Sequence, residues 1–374
     1  MRLTVVIDHF APAAGGAEAV AVAIVHELVR RGHELHVIAH DGVPLAGCDL
    51  RIVSPAGQAA AARTIPGDLV LDWGLTVPAD VHRLGGGVTR VFRRHNRLAR
   101  PFPLRWLAAV LDRFSLRQRR IMAREDALLR DPRTRLLAVS EFVAAQVRQT
   151  VPAAAARLTV LHNGVDVQRF NPGNRDRWRR EVRARLGLGE NETVFLFVAH
   201  NPRLKNFGLL ARVFNELAHS APQVRARLVV LGKHAPACRR PWLVHAGTTT
   251  EPEQFYGAAD ALLHPTLYDA CANVVLEGLA AGLPVVSSDC NGSAEIVTPG
   301  QNGFVLPVGG GAPAEIIGRW RTVIARLALE PDLRTGIGEA ARTLAVEHSF
   351  ERYMARFEQY LRDAVAAKSA GVAC

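Results

Sequence analysis

The chain has 374 residues, 49% hydrophobic and 22% charged, which describes a folded globular protein too long for one typical core and excludes a disordered chain. Its five cysteines, Cys48, Cys238, Cys271, Cys290 and Cys374, are scattered without a C-x-x-C pair, which argues against a disulfide framework or a zinc site and for a reducing cytosol. The net charge of +11 is concentrated: residues 90–135 hold fourteen arginines, no lysine and four acids, a local excess of +10 that points to an anionic partner.

The opening "MRLTVVIDHF" is too short an apolar stretch, with too early an aspartate, for a signal peptide, and no apolar run approaches a membrane span. The expectation is a soluble, cytoplasmic protein, with a place peripheral to a membrane as the variant of it. "RLTVVID" predicts a strand, "HFAPAAGG" a loop, Ala17 to Arg31 a helix, and "ELHVIA" a second strand. "DLVLD" and "RLLAVS" predict further buried strands, the latter running into the helix "EFVAAQVRQ", and "RLTVLHNGVD" ends in a strand and an Asn-Gly turn. Strands alternating with helices predict a parallel sheet covered on both faces.

Between Asn171 and Glu190 the composition turns polar, with one helix predicted inside. The alternation then restarts with "TVFLFVA", a helix over 207–219, "ARLVVLG", "LVHAG", a helix over 251–259, "ALLHP", a helix over 273–281, "PVVSSD" and "GFVLP". Phe350, Tyr353, Met354, Phe357, Tyr360 and Leu361 recur at helical spacing and predict a terminal helix. The expected fold is α/β: two doubly wound Rossmann-like domains facing a cleft, with the C-terminal helix packing across. Boundaries are drawn at 1–172, 173–345 and 346–374.

Ligands of such sheets collect where the strands end, so the loops after strands carry the candidates. Asp269 stands before the helix of 273–281 and Glu277 within it, on an otherwise apolar or small helix. They are either boundary residues or acceptors for ligand hydroxyls, and the residues alone leave both readings open. "AHNPRLKNF" places Arg203 and Lys205 after a strand, where a guanidinium fork and an ammonium suit a diphosphate, though a solvated basic turn is common. "APAAGGAEAV" places Gly15 and Gly16 at a strand-to-helix junction open to an anion, without the G-x-G-x-x-G spacing of a nicotinamide site. "DCNGSAEIV" offers Gly292 and Ser293 as backbone donors or as a plain capped turn. Leu104, Leu107, Leu111 and Phe114 form an apolar stripe expected in the core. Arg113, Arg117, Arg120 and Arg124 repeat on another face as a patch for lipid headgroups, a phosphorylated glycan or nucleic acid. Asp80, before a triple glycine, joins that patch as a candidate. His95, His162 and His200 read as structural. No Asp-x-Asp occurs, so a metal clamp of that kind has no candidate, and no cofactor is called for.

Together these stretches resemble the retaining family-4 glycosyltransferases of the GT-B fold. The specific element is an acid, seven residues, then glutamate, followed by A-x-G-x-P-V-V, here "DACANVVLEGLAAGLPVV". Members usually begin it with glutamate, so Asp269 is one methylene shorter. "NGVDVQRFNP", "RLKNF" and "SAEIVTPGQNGFVLP" fall in family order, and "GGAE" with "ADVHRLGGG" looks most like the lipopolysaccharide core glucosyltransferase group. The resemblance implies transfer of a hexose, glucose, from UDP-glucose to an anionic glycan or glycolipid with retention of configuration. It implies that Arg203 and Lys205 neutralise the diphosphate, that Asp269 binds the sugar hydroxyls and Glu277 the ribose, that Asn273 and Val274 line the donor, and that Gly15 and Gly16 approach the diphosphate. The rivals are a sugar-nucleotide epimerase of the same fold and a non-enzymatic binder of nucleic acid or lipid; no helix-turn-helix, zinc or RNA-binding signature accompanies the charge, so nucleic acid is not the expected partner.

Overall fold

The computed structural model describes residues 1–370 apart from 13, 101–103 and 236–238, and the side chains of 109, 112 and 113 lie outside the described set. The chain divides into two compact units, one of Met1–Arg97, Phe102–His162 and Arg352–Cys374, the other of Leu98–Pro101 and Asn163–Glu351.

The first unit contains β1 (Arg2–Val6), β2 (His9–Phe10), α1 (Gly16–Arg30), β3 (Glu34–Ala39), β4 (Asp41–Gly42), β5 (Cys48–Ile52), α2 (Gln58–Thr64) and β6 (Leu69–Asp72). It continues with β7 (Val81–Leu84), α3 (Thr89–Leu98), α4 (Leu104–Phe114), α5 (Leu116–Arg130), β8 (Arg135–Ala138), α6 (Glu141–Thr150) and β9 (Leu158–Val160). Seven strands form one parallel sheet in the order β5-β3-β1-β6-β7-β8-β9. Its central strands are buried on both faces, with Leu3, Val5, Val6, Val37 and Leu69 at 0% exposure, which is why they read as near-continuous apolar runs. Two strands escape that reading. Edge strand β5 alternates half-buried with exposed residues, and β7 buries the polar pair His82 and Arg83.

The second unit contains α7 (Gly173–Arg185), β10 (Thr193–Val198), α8 (Phe207–Ser220), β11 (Ala226–Leu231), β12 (Leu243–Gly247), α9 (Glu253–Ala258) and β13 (Ala261–His264). Then follow α10 (Asn273–Ala280), β14 (Val285–Ser288), β15 (Gly303–Leu306), α11 (Pro313–Leu329) and α12 (Pro331–Glu347). Its parallel sheet runs β12-β11-β10-β13-β14-β15. Helices cover both faces. Val275, Leu276 and Leu279 of α10 belong to one apolar cluster; Leu210, Val213, Trp320 and Ile324 of α8 and α11 belong to the other. The fold is thus α/β with two Rossmann-like sheets, as the alternation predicts, while α11 and α12 are additions that the strand pattern does not announce.

The glycines of "EGLAAGLPVV" have separate physical jobs. A Cβ on Gly278 would stand 2.8 Å from Leu262 Cδ2, so its absence lets α10 lie close on β13. Gly282 has φ +72° and ends α10, its N–H donating to the Leu279 carbonyl while Leu283 N–H reaches back to Gly278. Helix and strand are thereby joined by a turn of four residues, 281–284, and the acids upstream are held relative to the sheet.

The terminal helix α13 (Phe350–Ser369) starts four residues later than the boundary drawn at 346. Within the first unit, Glu358 accepts from Arg31 Nη1 at 3.0 Å and lies 3.0 Å from His33 Nε2. Lys368 Nζ donates to Asp80 Oδ2 at 2.8 Å.

The arginine-rich segment departs most from expectation. Ser115 ends α4 and caps α5 by accepting from Gln118 N–H, so the two stripes do not run along one helix. The apolar stripe is not core: Leu104, Trp106, Leu107, Leu111, Phe114 and Leu116 are 50, 67, 47, 61, 70 and 66% exposed. The helical spacing was legible, but spacing says only that such residues share a face and not that another element covers it. His95 lies within α3.

Candidate functional site

Two loops meet at the carboxyl ends of β10 and β13. The first, residues 199–206, is closed on itself: Leu204 N–H donates to Asn201 Oδ1, Lys205 N–H to the Asn201 carbonyl and Asn206 N–H to the Arg203 carbonyl. Asn206, at φ 60°, is the one described non-glycine residue with positive φ, and asparagine tolerates that conformation better than most residues. The turn is pinned to the second loop by Leu267 N–H on the Leu204 carbonyl, at 2.9 Å. Sixty-four residues apart in sequence, Lys205 Nζ and Asp269 Oδ2 therefore form an ion pair.

Each side chain of that pair keeps 20% exposure. His264, at the end of β13 and 1% exposed, places Nε2 at 3.3 Å from the same Asp269 oxygen. Burial works against a charge on Asp269, but the Lys205 charge and His264 outweigh it and hold the carboxyl well below the usual carboxylate range. Burial pulls His264 below its ordinary value, opposed by Asp269. The loop backbone is fixed by Asn291: its Oδ1 accepts from Ala272 N–H and Ser293 N–H, and its Nδ2 donates to Ser287 Oγ. Asp269 N–H donates to the Cys290 carbonyl, and Gly292 N–H to the Asp269 carbonyl. Of the two readings of Gly292 and Ser293, the capped turn holds: their backbone donors are spent within the fold. Arg203 is exposed, with no side-chain hydrogen bond or ion pair among the described residues.

Glu277 sits on α10, half-buried, and accepts from the Tyr256 hydroxyl at 2.6 Å. Burial raises its carboxyl above the ordinary value, opposed by the Tyr256 hydrogen bond and the charge of Arg169. Asn273 opens the same helix; its Oδ1 accepts from Asn163 Nδ2 at 2.9 Å, which ties α10 to the "HNGVD" turn. Val274 is half-buried, and its carbonyl lies 3.4 Å from the Tyr256 hydroxyl. Neither Tyr256, Asn163 nor His264 was singled out from the sequence as a partner of these acids. A buried tyrosine or histidine looks like any core residue until its partner is known.

In the first unit, Gly15 precedes α1, and a Cβ there would stand 2.5 Å from Glu18 Oε2. The Glu18 carboxylate therefore lies over the helix start where an anion was expected. Asp80 accepts from Val70 N–H at 2.7 Å as well as from Lys368, so it ties β6 to α13 without any ligand. Arg117, Arg120 and Arg124 are exposed along α5; the Arg113 side chain lies outside the described residues. Among the described residues no group of three His, Cys, Asp or Glu side chains is arranged to hold a metal ion, and no helix is long and apolar enough to cross a membrane.

Residues 14–169 match the family described as Glycosyltransferase Family 4, and residues 192–324 that described as Glycosyl transferases group 1. A D-inositol 3-phosphate glycosyltransferase of Actinosynnema mirum is 30% identical over 248 residues, covering 60% of this chain and 57% of that protein. The Thermobifida fusca enzyme of the same name is 30% identical over 225 residues, covering 55% and 50%. The chain thus spans about half the length of these relatives. Among solved structures, WaaG, a glycosyltransferase involved in lipopolysaccharide biosynthesis, superimposes with a TM-score of 0.76 at 19% identity, over 95% of this chain and 98% of that one. Anabaena Alr3699/HepE in complex with UDP-glucose does so with a TM-score of 0.71 at 16% identity, over 97% and 100%. Each sheet thus carries one of the two family matches, and the α/β fold with two Rossmann-like sheets is that of the GT-B glycosyltransferase structures it resembles.

Proposed function

We propose that the chain transfers a hexose, glucose, from a nucleoside diphosphate sugar, UDP-glucose, to a glycan or glycolipid acceptor with retention of configuration. The observation that carries this reading is the meeting of Lys205, Asp269 and His264 where β10 and β13 end, beside the helix that presents Glu277. Lys205 and the unpartnered Arg203 supply cations for a diphosphate, Asp269 an acceptor for sugar hydroxyls, and Glu277 an acceptor for ribose hydroxyls. Asn273 and Val274 line the donor at the start of α10.

The reaction needs a leaving group more than a protein nucleophile. The bond between the anomeric carbon and the diphosphate oxygen breaks, the acceptor hydroxyl oxygen attacks from the same face, and its proton passes to the departing phosphate. Negative charge grows on the diphosphate, where fixed cations act most strongly. The test is a thermal-shift panel of UDP-, GDP- and ADP-sugars. A ligand that binds only the folded state adds about 2.7 kcal/mol at a hundred times its Kd, so one of the three should raise the unfolding midpoint. No shift with any of them would overturn the reading. Conversion of a bound sugar nucleotide into a different one without acceptor would favour the epimerase.

The acceptor side is assigned to α4 and α5, on which Trp106, Leu111 and Phe114, and Arg117, Arg120 and Arg124, are exposed. We propose that this face meets an anionic membrane or glycolipid at the cytoplasmic surface of the inner membrane. Changing Arg117, Arg120 and Arg124 to glutamine should cost about 1 kcal/mol of vesicle binding per residue, most at low salt. The check is co-sedimentation with phosphatidylglycerol vesicles across a salt series, and binding that ignores both the substitutions and the salt would remove the assignment.

A further inference from the structure

We propose that Tyr256 is a positioning residue: its hydroxyl fixes one oxygen of Glu277 so that the other faces the ribose hydroxyls of the donor. The inference rests on the donor reading above and adds to it a residue that no motif marks. The Tyr256 ring is 0% exposed, and its hydroxyl donates to Glu277 Oε2 at 2.6 Å. The ring cannot easily shift. Phe170 meets it edge-on at 5.2 Å, and its neighbour Gly257 lies so close to α7 that a Cβ would stand 2.4 Å from the Asn174 carbonyl oxygen. Burial, with the Glu277 charge beside it, pushes the phenol well above its ordinary pKa, so it stays a donor at any working pH. A carboxylate on a helix otherwise swings about two side-chain torsions before reaching the one that matters. Anchoring Oε2 removes that freedom and leaves Oε1, which has no partner among the described residues, to accept from a vicinal diol.

The experiment titrates UDP, GDP and ADP into the full chain, then compares the nucleotide that binds with its dideoxyribose counterpart. Tyr256→Phe should weaken the ribonucleotide roughly tenfold, the scale of one hydrogen bond to a charged group, and leave the dideoxy form unchanged. In a Glu277→Ala background the same substitution should add nothing. An equal loss for both nucleotides, no loss for either, or a further loss on top of Glu277→Ala would each overturn the positioning role. Failure of the unaltered protein to bind any of the three would overturn the donor reading itself, and this inference with it.

Discussion

Replacing Lys205 by alanine is expected to lower the rate of transfer about a hundred- to a thousandfold, which is the usual loss of roughly 2.7–4 kcal/mol when one preorganised donor to a developing anion is removed. The fold should survive the change. Lys205 and Asp269 each keep 20% exposure, so their pairing is screened and carries less than a buried pair would. The loop that holds Asp269 is fixed independently, by Asn291 and by the backbone bonds to Cys290 and Gly292. What the variant loses is a charge at the end of β10, and with it part of the force that keeps Asp269 ionised against burial. The measurement is kcat at saturating donor and acceptor alongside the unfolding midpoint. A midpoint that collapses while kcat per folded molecule stays intact would make Lys205 a structural cation and take the diphosphate assignment away.

The ion pair also shows how far the sequence could be read. The alternation of apolar strands and helices gave the two sheets, because strands buried on both faces must be continuously apolar. The spacing of Asp269 and Glu277 likewise follows from local rules: β13 ends, a short loop turns, and α10 carries the second acid until Gly282 stops it. What local windows could not give are partners distant in the chain. Lys205 finds Asp269 because Leu267 N–H caps the Leu204 carbonyl, and Tyr256 finds Glu277 because α9 and α10 flank the same strand. Apolar spacing was misleading in one place. Leu104, Leu107, Leu111 and Phe114 share a face in α4 as their period predicts, yet no described element covers it. Asp80 was misread for the opposite reason: a carboxylate near a glycine run looks available until the Val70 amide and Lys368 are seen to occupy it.

Asp260→Ala is expected to destabilise the second unit by about 3–5 kcal/mol, the scale for breaking a buried ion pair from one side. Asp260 is 5% exposed, and its Oδ2 accepts from Arg183 Nη2 at 2.5 Å and Val194 N–H at 2.8 Å. Arg179 and Arg175 reach its Oδ1 at 3.0 and 3.3 Å. The three arginines lie at four-residue steps on one face of α7, so a single carboxylate fastens that helix to β10 and β13. Without it, Arg183 at 3% exposure is left as a buried cation whose remaining partners are the carbonyls of Ala258, Gly189 and Glu192. Burial works against ionisation of Asp260, but Arg183, Arg179 and the Val194 amide outweigh it, and its folded pKa lies below the ordinary value. The sign follows from linkage: the stabilisation is fully present above the unfolded pKa, about 3.9, and is lost as pH falls through the lower folded value. The gap between wild type and variant should therefore be widest near neutrality and narrow in acid. Asp260→Asn, which keeps an oxygen for the Val194 amide but not the charge, should fall between the two. Hydrogen exchange of the α7 and β10 amides, read from pH 7 downward, reports this unit without interference from the other. Exchange free energies within about 0.5 kcal/mol of wild type, a typical surface substitution, would mean that α7 is held by its apolar face alone.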